Sequence, residues 1–246
     1  MPDPIERSVN VFMVEIKAIE ESLLKEITAV SRKMASMTDT QLINATRQLN
    51  FLQELVDRGY GSAVNDLMDD YDTLLAKAVR EAKRRGIDPL KGAAVETLQT
   101  LKDLDTASLL GRAEQWGNQM KSAMFSSIYG GQPIRSITAV LAETGLATHQ
   151  LNVSAYTAMK QFDDLSRYAV FKGEDVKWTY IGPQDKRTRP QCEATSAAEP
   201  SDGYTESAVS SDTRTPFGIR GGFNCRHSWI SILLRYWAEP NSGEIK

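Results

Sequence analysis

Val9, Phe12, Ile16, Ile19, Leu23, Ile27 and Val30 recur at alternating intervals of three and four. That spacing lays one apolar stripe along a helix. It does not suit a strand, whose side chains alternate between two faces. It predicts a long first helix from Ile5 to about Lys33 with a heptad-like seam. The same periodicity continues through Leu42, Ala45, Leu49, Leu52 and Val56, read as a second helix with Asp39 as N-cap and Gly59 as its stop. Val64, Leu67, Tyr71, Leu74, Ala78 and Val79 mark a third, ended by the Gly86–Pro89 turn. Leu109, Ala113, Trp116, Met120 and Met124 place another before Gly130-Gly131, and two more follow over Pro133–Glu143 and Leu146–Phe171. Antiparallel helix packing is the ordinary use of such stripes. For the first helix a second reading is an exposed arm that offers Phe12, Ile16, Ile19 and Leu23 to a partner.

The texture changes after Lys172. Val176, Trp178, Tyr180 and Ile181 form a strand-like run that ends at Gly182-Pro183. Gly, Pro, Ser, Thr and Asp dominate residues 195–222, which reads as long loops with room for a short hairpin. Trp229, Ile230, Ile232, Leu233 and Leu234 form a last apolar element, and the tail from Pro240 to Lys246 reads as solvated. The expected class is α+β: a mainly α-helical N-terminal region over 1–172, then a small, loop-rich α+β module over 173–246.

Composition narrows the function classes. A net charge of −3 over 246 residues provides no global basic field for wrapping nucleic acid. No apolar run is long enough to cross a bilayer, so no membrane role is expected. The polar stretch Met1–Arg7 predicts no secretory leader. Two cysteines argue against a disulfide scaffold and for synthesis in a reducing cytoplasm.

Two segments concentrate Gly, Pro, Arg, Cys and His. They are YIGPQDKRTRPQCEA, from Tyr180 to Ala194, and GGFNCRHSW, from Gly221 to Trp229. Asp185 suits a turn after the strand, where its carboxylate accepts backbone N–H groups. Thr188 with Gln191 reads as a capping box that opens a short helix, with Pro190 in the first turn and Cys192 projecting from it. Gly221 and Gly222 permit backbone geometry closed to other residues. If Asn224–Ser228 is extended, Cys225 and His227 share one face, and that face could meet Cys192. Cys192, Cys225 and His227 are then three candidate zinc ligands, with Asp185 a candidate fourth. Two buried thiols without metal, and a Cys192–Cys225 disulfide, are the competing readings.

Taken together, Asp185, Thr188, Cys192, Gly222, Asn224, Cys225, Arg226 and His227 resemble the signature of the phage Mu F-like minor head proteins. That family carries an Asp-x-x-Thr turn followed by a Cys, then an Asn-Cys-Arg-Cys or Asn-Cys-Arg-His run. The resemblance covers roughly the last third of the chain. It implies a minor head, or minor capsid, structural protein acting in head morphogenesis at or near the portal vertex. The expected partners are the portal or major capsid proteins, with packaged DNA and self-association as further candidates. The expected location is the virion head, assembled in the host cytoplasm. Here His227 stands where many members have a second Cys, a change that zinc tolerates and a disulfide pattern does not.

Other readings of the residues remain. Arg187, Arg189 and Arg220, with Arg214 and Arg226, could form a local phosphate-contacting or partner-contacting patch, or could pair with nearby carboxylates. That leaves a zinc-stapled nucleic-acid-binding module with a helical arm as the first alternative function. A Cys–His thiol enzyme is the second. No complete catalytic constellation or GxSxG, Walker A, HExxH or dinucleotide glycine pattern occurs, so no enzyme is expected.

Overall fold

The computed structural model describes residues 3–34, 37–88, 93–129 and 145–232. Its helices are α1 (Pro4–Met34), α2 (Asp39–Gln48), α3 (Phe51–Asp57), α4 (Tyr60–Arg84), α5 (Ala93–Tyr129) and α6 (His149–Phe171). Strand β1 (Trp178–Ile181), helices α7 (Pro190–Ala197) and α8 (Glu206–Ser211) and strand β2 (Ser228–Ser231) complete the order. The class is α+β, with a helical N-terminal region and a small antiparallel sheet among loops. The helix expected over Pro133–Glu143, the Leu233-Leu234 end of the last apolar element and the Pro240–Lys246 tail lie outside the described residues, as do the side chains of Val30 and Leu42.

Two compact units form. Unit 1 comprises Met1–Asp70 and Asp103–Asn152; unit 2 comprises Tyr71–Lys102 and Val153–Lys246. A cut at residue 172 therefore marks a change in secondary structure, while the packing of unit 2 draws on chain from both sides of it.

In unit 1 the α1 stripe is buried: Val9, Phe12, Ile16, Ile19, Leu23 and Ile27 are all at most 9% exposed. The reading of Phe12, Ile16, Ile19 and Leu23 as a free partner face is corrected accordingly, because the chain's own helices already cover them. The single helix expected through Leu49 is two helices. Asn50 breaks the run and caps α3, accepting the Gln53 N–H at 3.2 Å. The new phase buries Phe51 and Leu55 and leaves Leu52 and Val56 outside. The cap of α2 is Thr38 and not Asp39. Its backbone N–H donates to Gln41 Oε1 at 3.0 Å, and its hydroxyl accepts the Gln41 N–H at 3.4 Å. Gly59 ends α3 at φ +97°, a conformation that favours glycine. Gly117 on α5 admits α3 closely, since a Cβ there would lie 3.2 Å from the Phe51 Cβ. The Tyr60 hydroxyl donates to the Leu109 carbonyl at 2.8 Å, and the buried Glu20 carboxylate accepts the N–H groups of Leu146 and Ala147 at 3.0 Å each.

Unit 2 is built on aromatic packing. β1 and β2 pair antiparallel with Tyr180 opposite Trp229, their rings 4.8 Å apart. All four residues of β2 are buried, so no polar alternation marks it as a strand. Trp178 packs edge-on against Phe217 at 4.7 Å, and Tyr204 against Trp229 at 5.3 Å. Around them lie Val170, Phe171, Val176 and Val209. The stretch expected as loop contains α8, capped by the Thr205 hydroxyl accepting the Ala208 N–H at 3.1 Å. Lys83 and Arg84, in the last turn of α4, are exposed. Arg85 instead reaches inward to Glu81 at 2.9 Å and Ser231 at 3.0 Å, over the Phe171 ring. Asp164 and Arg220 form a fully buried pair, Nε to Oδ2 at 3.4 Å.

Candidate functional site

The two motif segments meet inside unit 2. The first leaves β1 through a tight turn. Asp185 Oδ1 accepts the Arg187 N–H at 2.9 Å, as its turn role requires. Thr188 Oγ1 accepts the Asp185 N–H at 2.9 Å and donates to the Pro183 carbonyl at 2.8 Å. This occupies the Thr188 hydroxyl, so the expected capping box does not form. Arg189 takes the N-cap position of α7 with Pro190 at the first turn, and Gln191 Nε2 donates to the Gly221 carbonyl at 3.1 Å.

The second segment approaches through Gly222, at φ +94°, and Asn224, at φ +57°. Asn224 is left-handed and not extended, and its N–H donates to Thr157 Oγ1 at 2.9 Å. Regular strand begins only at Ser228. Cys225 and His227 are nonetheless both buried, with Arg226 between them turned towards solvent. The Arg226 guanidinium forks onto both oxygens of Asp185 at 2.6 and 2.8 Å. Arg189 donates in turn to the carbonyls of Gly221 and Phe223. Each segment is thus held by a guanidinium from the other.

Behind these contacts lies a buried cluster. The Cys192 and Cys225 sulfurs are 3.7 Å apart, and the ligating atoms of Cys192, Cys225 and His227 all lie within 4.8 Å of one another. The Tyr180 hydroxyl stands 3.4 Å from one sulfur and 3.5 Å from the other. Its ring stacks on His227 at 5.1 Å with planes 14° apart. His227 Nε2 is buried and has no hydrogen-bond partner. Two glycines make the room. A Cβ on Gly221 would lie 2.1 Å from Cys192 Sγ, and one on Gly182 would lie 2.4 Å from the His227 ring.

The electrostatics divide the two thiols. Burial pushes the Cys192 thiol up. Burial also opposes ionisation of Cys225, but the Tyr180 hydroxyl, the His227 and Gly221 N–H groups and the Cys192 thiol outweigh it and bring Cys225 down. Burial, then the neighbouring Arg226 charge, lowers His227 and favours a neutral imidazole. Burial and contact with the two thiols push Tyr180 well up. The Arg226 fork, then the Arg187 N–H, holds Asp185 well below the usual carboxylate range.

The structure therefore brings Cys192, Cys225 and His227 together and leaves Asp185 out. The Asp185 carboxylate is exposed and engaged by Arg226, which corrects its reading as a fourth ligand. Of the arginines read as phosphate contacts, Arg189 grips backbone carbonyls and Arg220 is buried against Asp164. Arg214 pairs with Asp212 at 2.8 Å, while Arg187 is exposed. His149 begins α6 as an exposed residue outside the cluster. Sequence reasoning missed Tyr180 and Gly182 as cluster residues, although both lie in the first motif segment. It credited Gly221 with special backbone geometry, whereas the residue is needed for the space its missing side chain leaves to sulfur.

No family model, curated protein or solved structure matches the chain.

Proposed function

We propose that this chain is a bacteriophage minor head protein of the Mu F-like kind, a structural component that acts by binding other head proteins. The observation that carries the reading is the convergence of the two signature segments. Asp185, Thr188, Cys192, Asn224, Cys225, Arg226 and His227 all belong to the signature that carries the resemblance. Most of them hold the module together: Asp185 grips Arg226, Thr188 closes the turn, and Cys192 packs on Cys225. A signature spent on internal fastening suits a rigid adaptor better than a reaction centre. The thiols are 1% and 4% exposed and His227 is 2% exposed, so a substrate would have no approach to a Cys–His nucleophile. The commitment of Arg189 and Arg220 to internal contacts likewise disfavours a phosphate-reading surface.

On this reading the module docks at or near the portal vertex, and the helices of unit 1 supply surface for a portal or capsid partner. Val11 and Val14 on α1, 56% and 69% exposed, are apolar side chains left to such a partner. The test is quantitative mass spectrometry of purified particles, and of heads assembled before DNA packaging, from cells in which the chain is expressed. A few copies per particle are expected. Absence from both preparations while the chain is expressed rejects the reading.

A further inference from the structure

His227 is sealed beside two thiols, and its Nε2 has no hydrogen-bond partner. An unpaired buried nitrogen costs free energy that folding normally avoids. The glycine pair adds a second clue. Gly221 and Gly182 are the residues whose missing side chains leave space for Cys192 Sγ and the His227 ring. The cluster is therefore shaped around these donors.

Its distances fit one ion. Tetrahedral zinc with bonds of about 2.3 Å to sulfur sets two thiolates about 3.8 Å apart, and an oxygen donor about 3.5 Å from each. The Cys192 and Cys225 sulfurs are 3.7 Å apart, and the Tyr180 oxygen lies 3.4 and 3.5 Å from them. These three atoms form one face of such a tetrahedron. A ring nitrogen of His227 lies within 4.8 Å of both sulfurs. A disulfide would need the sulfurs at about 2.05 Å and would leave His227 unsatisfied.

We infer that Cys192, Cys225 and His227 bind one zinc ion, with the Tyr180 hydroxyl oxygen as the fourth donor. Two thiolates with an imidazole and one oxygen select a borderline-soft divalent ion of tetrahedral preference. Binding expels the two thiol protons and the Tyr180 proton to solvent. All four donors are buried, so the site is closed and its role is structural: it ties α7, β1 and the approach to β2 at one point. The phage reading is not needed for this. Metal content can be absent while virion incorporation holds, and the reverse.

The test uses the full chain, expressed in the cytoplasm and purified with reductant and without chelator. Elemental analysis is expected to find about one zinc per chain. Replacement by cobalt is expected to give the intense visible bands of a tetrahedral centre with thiolate-to-cobalt charge transfer. Chelation should lower the melting temperature of the wild-type protein, a readout that needs no variant. His227→Asn and Cys192→Ser should lose the metal. Because either could simply misfold, Tyr180→Phe is the subtler probe, expected to weaken zinc about 10- to 100-fold. Unchanged affinity in Tyr180→Phe removes Tyr180 as a donor. Zinc below about a tenth of the chain concentration, with both thiols titrating as free, overturns the site. So does a protein two hydrogens lighter with no reactive thiol after denaturation, which would be the disulfide.

Discussion

Asp185 and Arg226, forty-one residues apart in the chain, are joined through both carboxylate oxygens at 2.6 and 2.8 Å. The contact sits on the surface, so water and salt screen it, and its strength lies mainly in fixing the orientation of two loops. Arg226→Lys keeps the charge and loses the fork. A small fall in melting temperature is expected for Arg226→Lys and for Asp185→Asn, and the double variant should fall by less than the sum. Additive losses in that cycle would mean that the two side chains do not interact.

The same pair carries a pH signature. The folded-state pKa of Asp185 is depressed, so its contribution is fully present above the unfolded value of about 3.9 and is lost as pH falls through the folded value. Wild-type protein is expected to lose stability relative to Asp185→Asn as pH drops below about 4. Denaturant midpoints of both proteins across that range, at low and high salt, measure it. Parallel curves would contradict the depressed pKa.

Asp164 has the opposite sign. Burial pushes it up to about 7 against the pull of the Arg220 guanidinium. Between the unfolded value of about 3.9 and the folded one, the native state holds a proton that the unfolded chain has released. This group's contribution therefore weakens as pH rises through that window. Asp164→Asn keeps the shape and removes the proton, so the gap between variant and wild type should change steadily from pH 4 to 7. A constant gap would show that Asp164 does not titrate there.

Much of the helical architecture was legible because burial imposes a period. The α1 stripe, the α5 set from Leu109 to Met124 and the end of α4 at Gly86 follow directly from spacing and turn chemistry. The break at Asn50 was not legible: Leu49, Leu52 and Val56 keep the helical interval across it, and only the burial of Phe51 and Leu55 reveals the new phase. The reading of Phe12, Ile16, Ile19 and Leu23 as a free partner face failed for a related reason. A stripe shows that a face is covered, not what covers it. At the site, the alternation of Cys225 and His227 pointed to their shared burial, and the paired motifs pointed to Cys192. Tyr180 escaped because its place depends on the strand register, which sets it opposite Trp229, and on the fold that brings its hydroxyl to the two thiols.

Gly221 tests the fit of the cluster independently of any ligand. A Cβ there would meet Cys192 Sγ at 2.1 Å and Cys225 Sγ at 3.1 Å. Such overpacking usually costs about 1–3 kcal/mol, and here two buried sulfurs must move. Gly221→Ala is expected at or above the top of that range. Gly222→Ala meets only Arg189 Nη1 at 3.4 Å but carries φ +94°, a strain of about 1–2 kcal/mol. Equal melting temperatures for Gly221→Ala and wild type would show that the thiols do not crowd that backbone.

The last expectation separates folding from docking on α1. Ile16 is fully buried and Leu23 is 2% exposed, whereas Val14 is 69% exposed on the same helix. A carboxylate at position 16 would have to be buried without a partner, which costs several kcal/mol, or the helix would have to detach. Against a typical total stability of about 5–15 kcal/mol, that is enough to unfold unit 1. Ile16→Asp should therefore lose helical signal and cooperative melting, and its absence from phage heads would say nothing about docking. Val14→Asp, and Val11→Asp at 56% exposure, should melt within about 0.5 kcal/mol of wild type, because a solvated aspartate needs no partner. These are the informative variants for incorporation: folded, soluble and altered only where a partner could touch. If they are excluded from heads while wild type enters, α1 contributes to the contact. If they enter normally, the contact lies elsewhere. A folded Ile16→Asp variant with an unshifted melt would overturn the packing of α1 itself.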